Sequence, residues 1–209
     1  MLPAFALFYI TDRTRIKTPT LDAAIARAID AGVDWVQIRE KDLPARQLLT
    51  LTETAVQHAR RQQGSTRIMV NDRLDVALAV GAHGVHLGRR SMPAELVRKV
   101  APPGFLVGVS CHSLEEAQAA EAAGADYILL GPIFPTPSKL QYGPPLGLAK
   151  LREVTLQVSI PVFALGGITA DRVAACRQHG ASGIAAIRLF QDADSIPNVV
   201  KGLRARAAG

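Results

Sequence analysis

The sequence predicts a single α/β domain folded as a (β/α)8 TIM barrel: short β-rich runs alternate strictly with longer helical patterns, the runs number eight, and they fit within 209 residues. A repeated strand-then-helix order implies parallel strands joined by crossover helices. Eight such repeats in so short a chain fit one compact barrel spanning residues 1–209. A doubly wound sheet would leave two of the strands over. It would also require a Gly-rich first turn, and the chain has Thr11-Asp12-Arg13-Thr14 there.

The elements follow in chain order. The first strand is Ala6–Thr11, inside an apolar start too short, and lacking the basic residues and cleavage site, for a signal peptide. Leu21–Ala31 is amphipathic and stops at Ala31-Gly32 before strand Trp35–Arg39; helix Ala45–Arg61 precedes strand Arg67–Asn71. Asp72 stands at the N-cap position for helix Leu74–Val80, which leads to strand Gly84–Leu87. After strand Phe105–Ser110, Ser113-Leu-Glu-Glu116 has the form of a capping box opening Leu114–Ala123, and Ala123-Gly124-Ala125 closes that helix. Strands Tyr127–Gly131 and Pro161–Leu165, helix Ala170–His179 with its Gly180-Ala181 stop, and strand Gly183–Ile187 complete the set.

Composition narrows the function. Hydrophobic residues at 48% with 20% charged are the balance of a soluble globular protein, and no apolar run reaches the roughly 18 residues of a membrane span, so a cytoplasmic protein without membrane partner is expected. The net charge is +6, but Arg and Lys are spread along the chain and aromatics are 5%, which disfavours a base-stacking platform for nucleic acid. Dense basic clusters are Arg89-Arg90 and Lys201–Arg206, the latter expected as a solvated helix face. Cys111 and Cys176 are too few for a disulfide scaffold and read as small buried hydrophobes.

Loops after barrel strands build the active site of this fold. The polar strand ends therefore form one spatial set: Asp12; Gln37, Arg39 and Lys41; Asn71-Asp72; Gly88-Arg89-Arg90-Ser91; Ser110-Cys111-His112; Thr136, Ser138 and Lys139; Gly166-Gly167; and Arg188. Period-two alternation puts Gln37, Arg39 and Lys41 on the inner face, with Val36 and Ile38 facing the helices. Long cations are seldom buried without partners. This face is either an anion site or a rim salt bridge to Glu40 or Asp72, and the anion site is preferred. Alternation also separates Cys111 from Ser110 and His112, against a Cys–His dyad; His112 is an acid or base, or the cap of the next helix. His83, His86 and His179 lack partners at metal-ligand spacing and are expected to be structural or exposed. Gly166-Gly167-Ile-Thr169 opens a helix after the seventh strand, where backbone amides bind phosphate. Two anion sites emerge, one near Arg39, Lys41, Asn71 and Lys139, the other near Gly167 and the eighth strand. Pro137–Gly147 is a long loop and a candidate lid.

Seven motifs in order span nearly the whole chain: Tyr9-Ile-Thr-Asp12, Val36-Gln-Ile-Arg-Glu-Lys41, Asn71 to Ala79, Gly84-Val-His-Leu-Gly88, Gly108 to Glu116, Gly131 to Lys139, and Ala164-Leu-Gly-Gly-Ile168. By these the sequence resembles the thiamin-phosphate synthase/TenI family. The resemblance implies that an aminopyrimidine methyl diphosphate loses pyrophosphate, and that a thiazole phosphate nitrogen captures the resulting pyrimidine cation to give thiamin phosphate. Small phosphorylated pyrimidine and thiazole metabolites would then be the partners. The resemblance further implies that Gln37, Arg39, Lys41, Asn71 and Lys139 contact the diphosphate. Ser110, Thr136 and Ser138 would add substrate contacts, Gly167 would meet the thiazole phosphate, and Asp72 would hold Mg2+.

Two positions depart from the synthase pattern. Ser91 replaces the second metal carboxylate, and Arg188 replaces a Ser on the thiazole phosphate. These departures resemble the TenI branch, a thiazole tautomerase in which the His corresponding to His112 would move the proton. Gln37, Lys41 and Asp72 instead match the synthase. A non-catalytic thiazole-phosphate binder is the third reading. Homodimerisation is an expectation by analogy with other small barrels.

Overall fold

In the computed structural model, which describes residues 4–62, 66–136 and 144–208, eight parallel strands close in sequential order into a barrel. They are β1 Ala6–Ile10, β2 Trp35–Ile38, β3 Arg67–Asn71, β4 Gly84–Leu87, β5 Leu106–Cys111, β6 Tyr127–Leu130, β7 Val162–Leu165 and β8 Gly183–Ala186. The helices are α1 Leu21–Asp30, α2 Ala45–Arg61, α3 Leu74–Ala79, α4 Ala94–Val100, α5 Leu114–Ala122, α6 Gly147–Gln157, α7 Val173–Gln178, α8 Arg188–Gln191 and α9 Ile196–Ala208.

Alternation sorts each strand into two cores. Val36, Ile38, Ile68, Val70, Val85, Val107 and Ile128 pack outward against the helices. Phe8, Trp35, Met69, Tyr127, Leu129 and Phe163 fill the barrel. Four of these rings touch one another, Trp35 and Tyr127 edge-on at 4.9 Å and Phe8 and Phe163 at 5.6 Å. This aromatic plug, each ring contributing on the order of 2–3 kcal/mol of burial, closes the interior below and leaves the strand ends open above.

The helix stops follow the sequence. After α1, α3, α5 and α7, a glycine of positive φ (Gly32, Gly81, Gly124, Gly180) closes a Schellman pair, as in Gly32 N–H to Ile29 O and Val33 N–H to Ala28 O. Three residues after each glycine the next strand begins. There Asp34, His83 and Asp126 each accept a backbone N–H from the preceding strand: Leu7 at 2.7 Å, Ile68 at 3.0 Å and Val107 at 2.6 Å. These side chains pin strand registry at the barrel's N-terminal face.

Two local expectations are corrected. Asp72 does not cap α3; Arg73 occupies the N-cap, without a side-chain bond, and Asp72 turns to φ 66°. The stretch Ala170–His179 is not one helix: a 3-10 turn at Ala170–Arg172 precedes α7. Among the described residues no helix is long and apolar enough to cross a membrane.

Candidate functional site

β1 and β2 present the first part of the rim. Gln37 is 1% exposed and faces inward, its Nε2 donating to Asn71 Oδ1 at 3.4 Å across β3. Arg39 is half-buried, and its guanidinium has no acidic partner among the described residues. Its backbone is fixed instead: the Arg39 N–H donates to Thr11 Oγ1 at 2.9 Å, and Thr11 Oγ1 donates to Glu40 at 2.5 Å. The Arg13 N–H also donates to Glu40, at 3.0 Å. Burial raises the Glu40 carboxyl above the usual range, offset by those two bonds. Among the described residues no rim salt bridge joins Arg39 to Glu40 or Asp72, and Glu40 is committed to Thr11 and Arg13. A half-buried cation without a counter-ion is costly unless an anion binds there. Lys41 follows, exposed.

β3 ends at half-buried Asn71 and exposed Asp72. The left-handed backbone of Asp72 is uncommon for a non-glycine residue, and such positions cluster at functional sites. Among the described residues no three His, Cys, Asp or Glu side chains assemble a metal site. Ser91, in the place of the second carboxylate, uses its Oγ to accept the Gly88 N–H at 2.7 Å and so closes the turn after β4. Arg89 and Arg90 are exposed in that turn.

On β5, Ser110 reaches inward and Cys111 outward, as alternation requires. Cys111 is fully buried in the outer core, and burial pushes its thiol up to about 12; Cys176, also buried, is pushed up to about 11. Neither thiol is expected to react with a disulfide reagent in the native protein, whereas both should titrate on denaturation. Native-state labelling of Cys111 would contradict this packing. His112 lies beyond the strand, exposed, with both its N–H and Nδ1 against Glu116 Oε2 at 2.7 and 3.1 Å. This is the helix-capping arrangement: Ser113 Oγ accepts the Glu116 N–H, and Glu116 reaches back over the first turn.

His86 takes the structural of the two roles expected for it: it is 2% accessible, inside the barrel, with Nε2 2.8 Å from Ser110 Oγ, a contact that sequence reasoning did not identify. Burial pushes its pKa down to about 3, with Arg39 adding to the shift, so the ring is neutral. The available signal was its register: an inward position on β4, opposite Asn71 of β3.

In the second anion region Gly166 and Gly167 have φ 93° and 64°, and Thr169 caps the helical segment that follows, a 3-10 turn at Ala170–Arg172 running into α7. A Cβ on Gly167 would meet Pro135 O at 2.6 Å and Phe134 O at 2.8 Å, so glycine is required by close approach of the β6–α6 segment. Arg172 holds this loop, donating to Gly167 O at 2.6 Å and lying over the Phe134 ring at 4.6 Å. Thr136 is half-buried at the end of that segment. Ser138, Lys139 and most of the candidate lid Pro137–Gly147 lie outside the described residues. Arg188, just beyond the expected eighth strand, begins α8 and is exposed; β8 ends at Ala186.

The chain is similar to known proteins along nearly its whole length. The family described as thiamine monophosphate synthase matches residues 7–190. A thiamine-phosphate synthase of Methanoculleus marisnigri is 43% identical over 206 residues, covering 98% of this chain and 96% of its own. One from Moorella thermoacetica is 40% identical over 204 residues, covering 97% and 96%. The solved thiamine phosphate pyrophosphorylase of Pyrococcus furiosus superposes with a TM-score of 0.87 at 36% identity, over 98% of this chain and 96% of that one.

Proposed function

The chain belongs to the thiamine monophosphate synthase family, and from that premise we propose that it is a transferase joining an aminopyrimidine methyl diphosphate to a thiazole phosphate. The C–O bond to the diphosphate breaks with both electrons leaving on pyrophosphate. The thiazole nitrogen lone pair then forms the new C–N bond, giving thiamin phosphate. The observation that carries this reading within the site is Arg39, a half-buried guanidinium without a counter-ion among the described residues, at the strand ends with Gln37 and Asn71.

Charge builds on the departing diphosphate, and stabilising it calls for fixed cations and donors. Arg39 and Lys41 supply positive charge, Gln37 and Asn71 supply amide donors, Ser110 a hydroxyl, and Lys139 and Ser138 would add to them. Thr136 would add a further substrate contact, and Gly167 would meet the thiazole phosphate. Arg188 begins the segment after the eighth strand, the place for a side-chain grip on that phosphate. Asp72 is a hard oxygen donor on the rim, and a single carboxylate fits Mg2+ when diphosphate oxygens and waters complete the shell. Bound there, the ion would neutralise charge on the leaving group.

With both substrates present, pyrophosphate release should depend on Mg2+ and be accompanied by thiamin phosphate. His112→Ala should keep that rate within about threefold, because its exposed ring pairs with Glu116 beside the N-cap of α5. Ser91 in place of a second carboxylate and the His112–Glu116 pair are the observations that favour a thiazole tautomerase. Metal-independent isomerisation abolished in His112→Ala, with no pyrophosphate released at any Mg2+ concentration, would replace the synthase reading. Thiazole phosphate binding without either turnover would leave a binder.

A further inference from the structure

Directly beneath the rim, three polar groups stand in line within apolar packing. His86 Nδ1 lies 3.1 Å from the Tyr127 hydroxyl, and Nε2 lies 2.8 Å from Ser110 Oγ. Phe8, Trp35 and Phe163 enclose the Tyr127 ring, and His86 stacks on it at 5.7 Å. Among the described residues the phenol has no other hydrogen-bond partner. The strand register builds this line: His86 pairs with Gly108, and Gly108 with Tyr127. A Cβ on Gly108 would stand 2.0 Å from Tyr127 Cζ, so the glycine leaves the space that the phenol occupies.

A neutral imidazole carries one proton, and the two placements differ in consequence. With the proton on Nδ1, the ring donates to the Tyr127 oxygen. The phenol proton is then left buried without an acceptor, a penalty comparable to a lost hydrogen bond. Ser110 must then donate to Nε2. With the proton on Nε2, Tyr127 donates to Nδ1, Nε2–H donates to Ser110 Oγ, and every buried donor is satisfied. The Ser110 hydroxyl hydrogen is then released toward the rim.

We propose that Tyr127 and His86 are positioning residues that fix Ser110 as a hydrogen-bond donor toward the rim site, so that the ligand atom it meets is one bearing a lone pair. This rests on the reading of the rim as the synthase site. Neither residue touches substrate. They set which way a hydroxyl points before substrate arrives, so that no reorientation is needed during the reaction.

The test begins with the proton. Nitrogen-15 NMR of the histidine-labelled wild-type protein, with His86 assigned by comparison with His86→Gln, should show the Nε2–H tautomer. An Nδ1–H ring would overturn the proposal, whatever the activity. In Tyr127→Phe Nδ1 loses the donor that holds the ring proton on Nε2. The preference for the Nε2–H tautomer should then weaken, and kcat for pyrophosphate release should fall about tenfold while KM moves less than about twofold. A ring and a kcat both unchanged in Tyr127→Phe would also overturn it. Because the tautomer is read without turnover, a wild-type protein that releases no pyrophosphate but shows Nε2–H would count against the synthase reading alone, and the hydroxyl orientation would stand.

Discussion

Arg39→Ala should lower kcat/KM for pyrophosphate release by about 10²–10³-fold, the expected cost of removing a charge-assisted donor aimed where negative charge develops. The magnitude follows from the site's construction. Arg39 is half-buried at the end of β2 and has no acidic partner among the described residues, so its charge is available to a ligand. Its backbone is held by Thr11, which is held in turn by buried Glu40. Little ordering remains to be done when an anion arrives. Arg39→Lys should recover only part of the loss, because an ammonium cannot reproduce a planar two-point contact. Since the contact grows with charge on the leaving group, kcat should fall more than KM rises. A loss below about threefold would reduce Arg39 to a rim residue and move the anion site elsewhere on the strand ends.

The clamp around Arg39 also shows where sequence reasoning succeeds and where it stops. Period-two alternation assigns Gln37 and Arg39 inward and Val36 and Ile38 outward from residue order alone, because the pleat has a fixed period. The helix stops were equally visible, since Gly32, Gly124 and Gly180 adopt a backbone that other residues avoid. Glu40 was visible only as a charged neighbour. That its partners are Thr11 and the Arg13 amide depends on how the loop after β1 folds over the end of β2. The same applies to His86, whose partners come from β5 and β6 and are fixed by inter-strand register. Gly167 is legible as part of a helix start, whereas the close passage of the Phe134-Pro135 backbone, which also requires a glycine there, is not. Arg172, which ties that loop down, lay in a stretch expected to be ordinary helix. The basic C-terminal stretch divides similarly. Lys201 and Arg206 are exposed as expected, whereas Arg204 turns inward.

That inward turn leads to the largest stability effect expected in the molecule. Asp34 is 8% exposed at the start of β2, where Oδ2 accepts the Leu7 N–H of β1 at 2.7 Å and Oδ1 accepts Arg204 of α9 at 2.8 Å. Arg204 also donates to Phe5 O and Gly32 O, so one ion pair fastens the first strand, the end of α1 and the last helix. Asp34→Ala leaves a strand N–H without its acceptor and a guanidinium without its counter-ion. Breaking a buried pair on one side costs about 3–5 kcal/mol. Arg204 is more than a third exposed in its side chain and regains some water, which places the expected loss near 3 kcal/mol. For a chain of this size that corresponds to a Tm lower by roughly 6–12 °C. Arg204→Ala should cost less, because Asp34 keeps the Leu7 bond. The double variant should cost less than the sum of the two, since both remove one shared interaction. This pair lies at the face opposite the rim, so pyrophosphate release measured well below the lowered Tm should stay within about twofold of wild type. A stability loss under 1 kcal/mol would mean that water replaces the carboxylate at β1. A large fall in activity at unchanged stability would mean that the two ends of the barrel are not independent, and the division between a stabilising face and a reactive one would have to be abandoned.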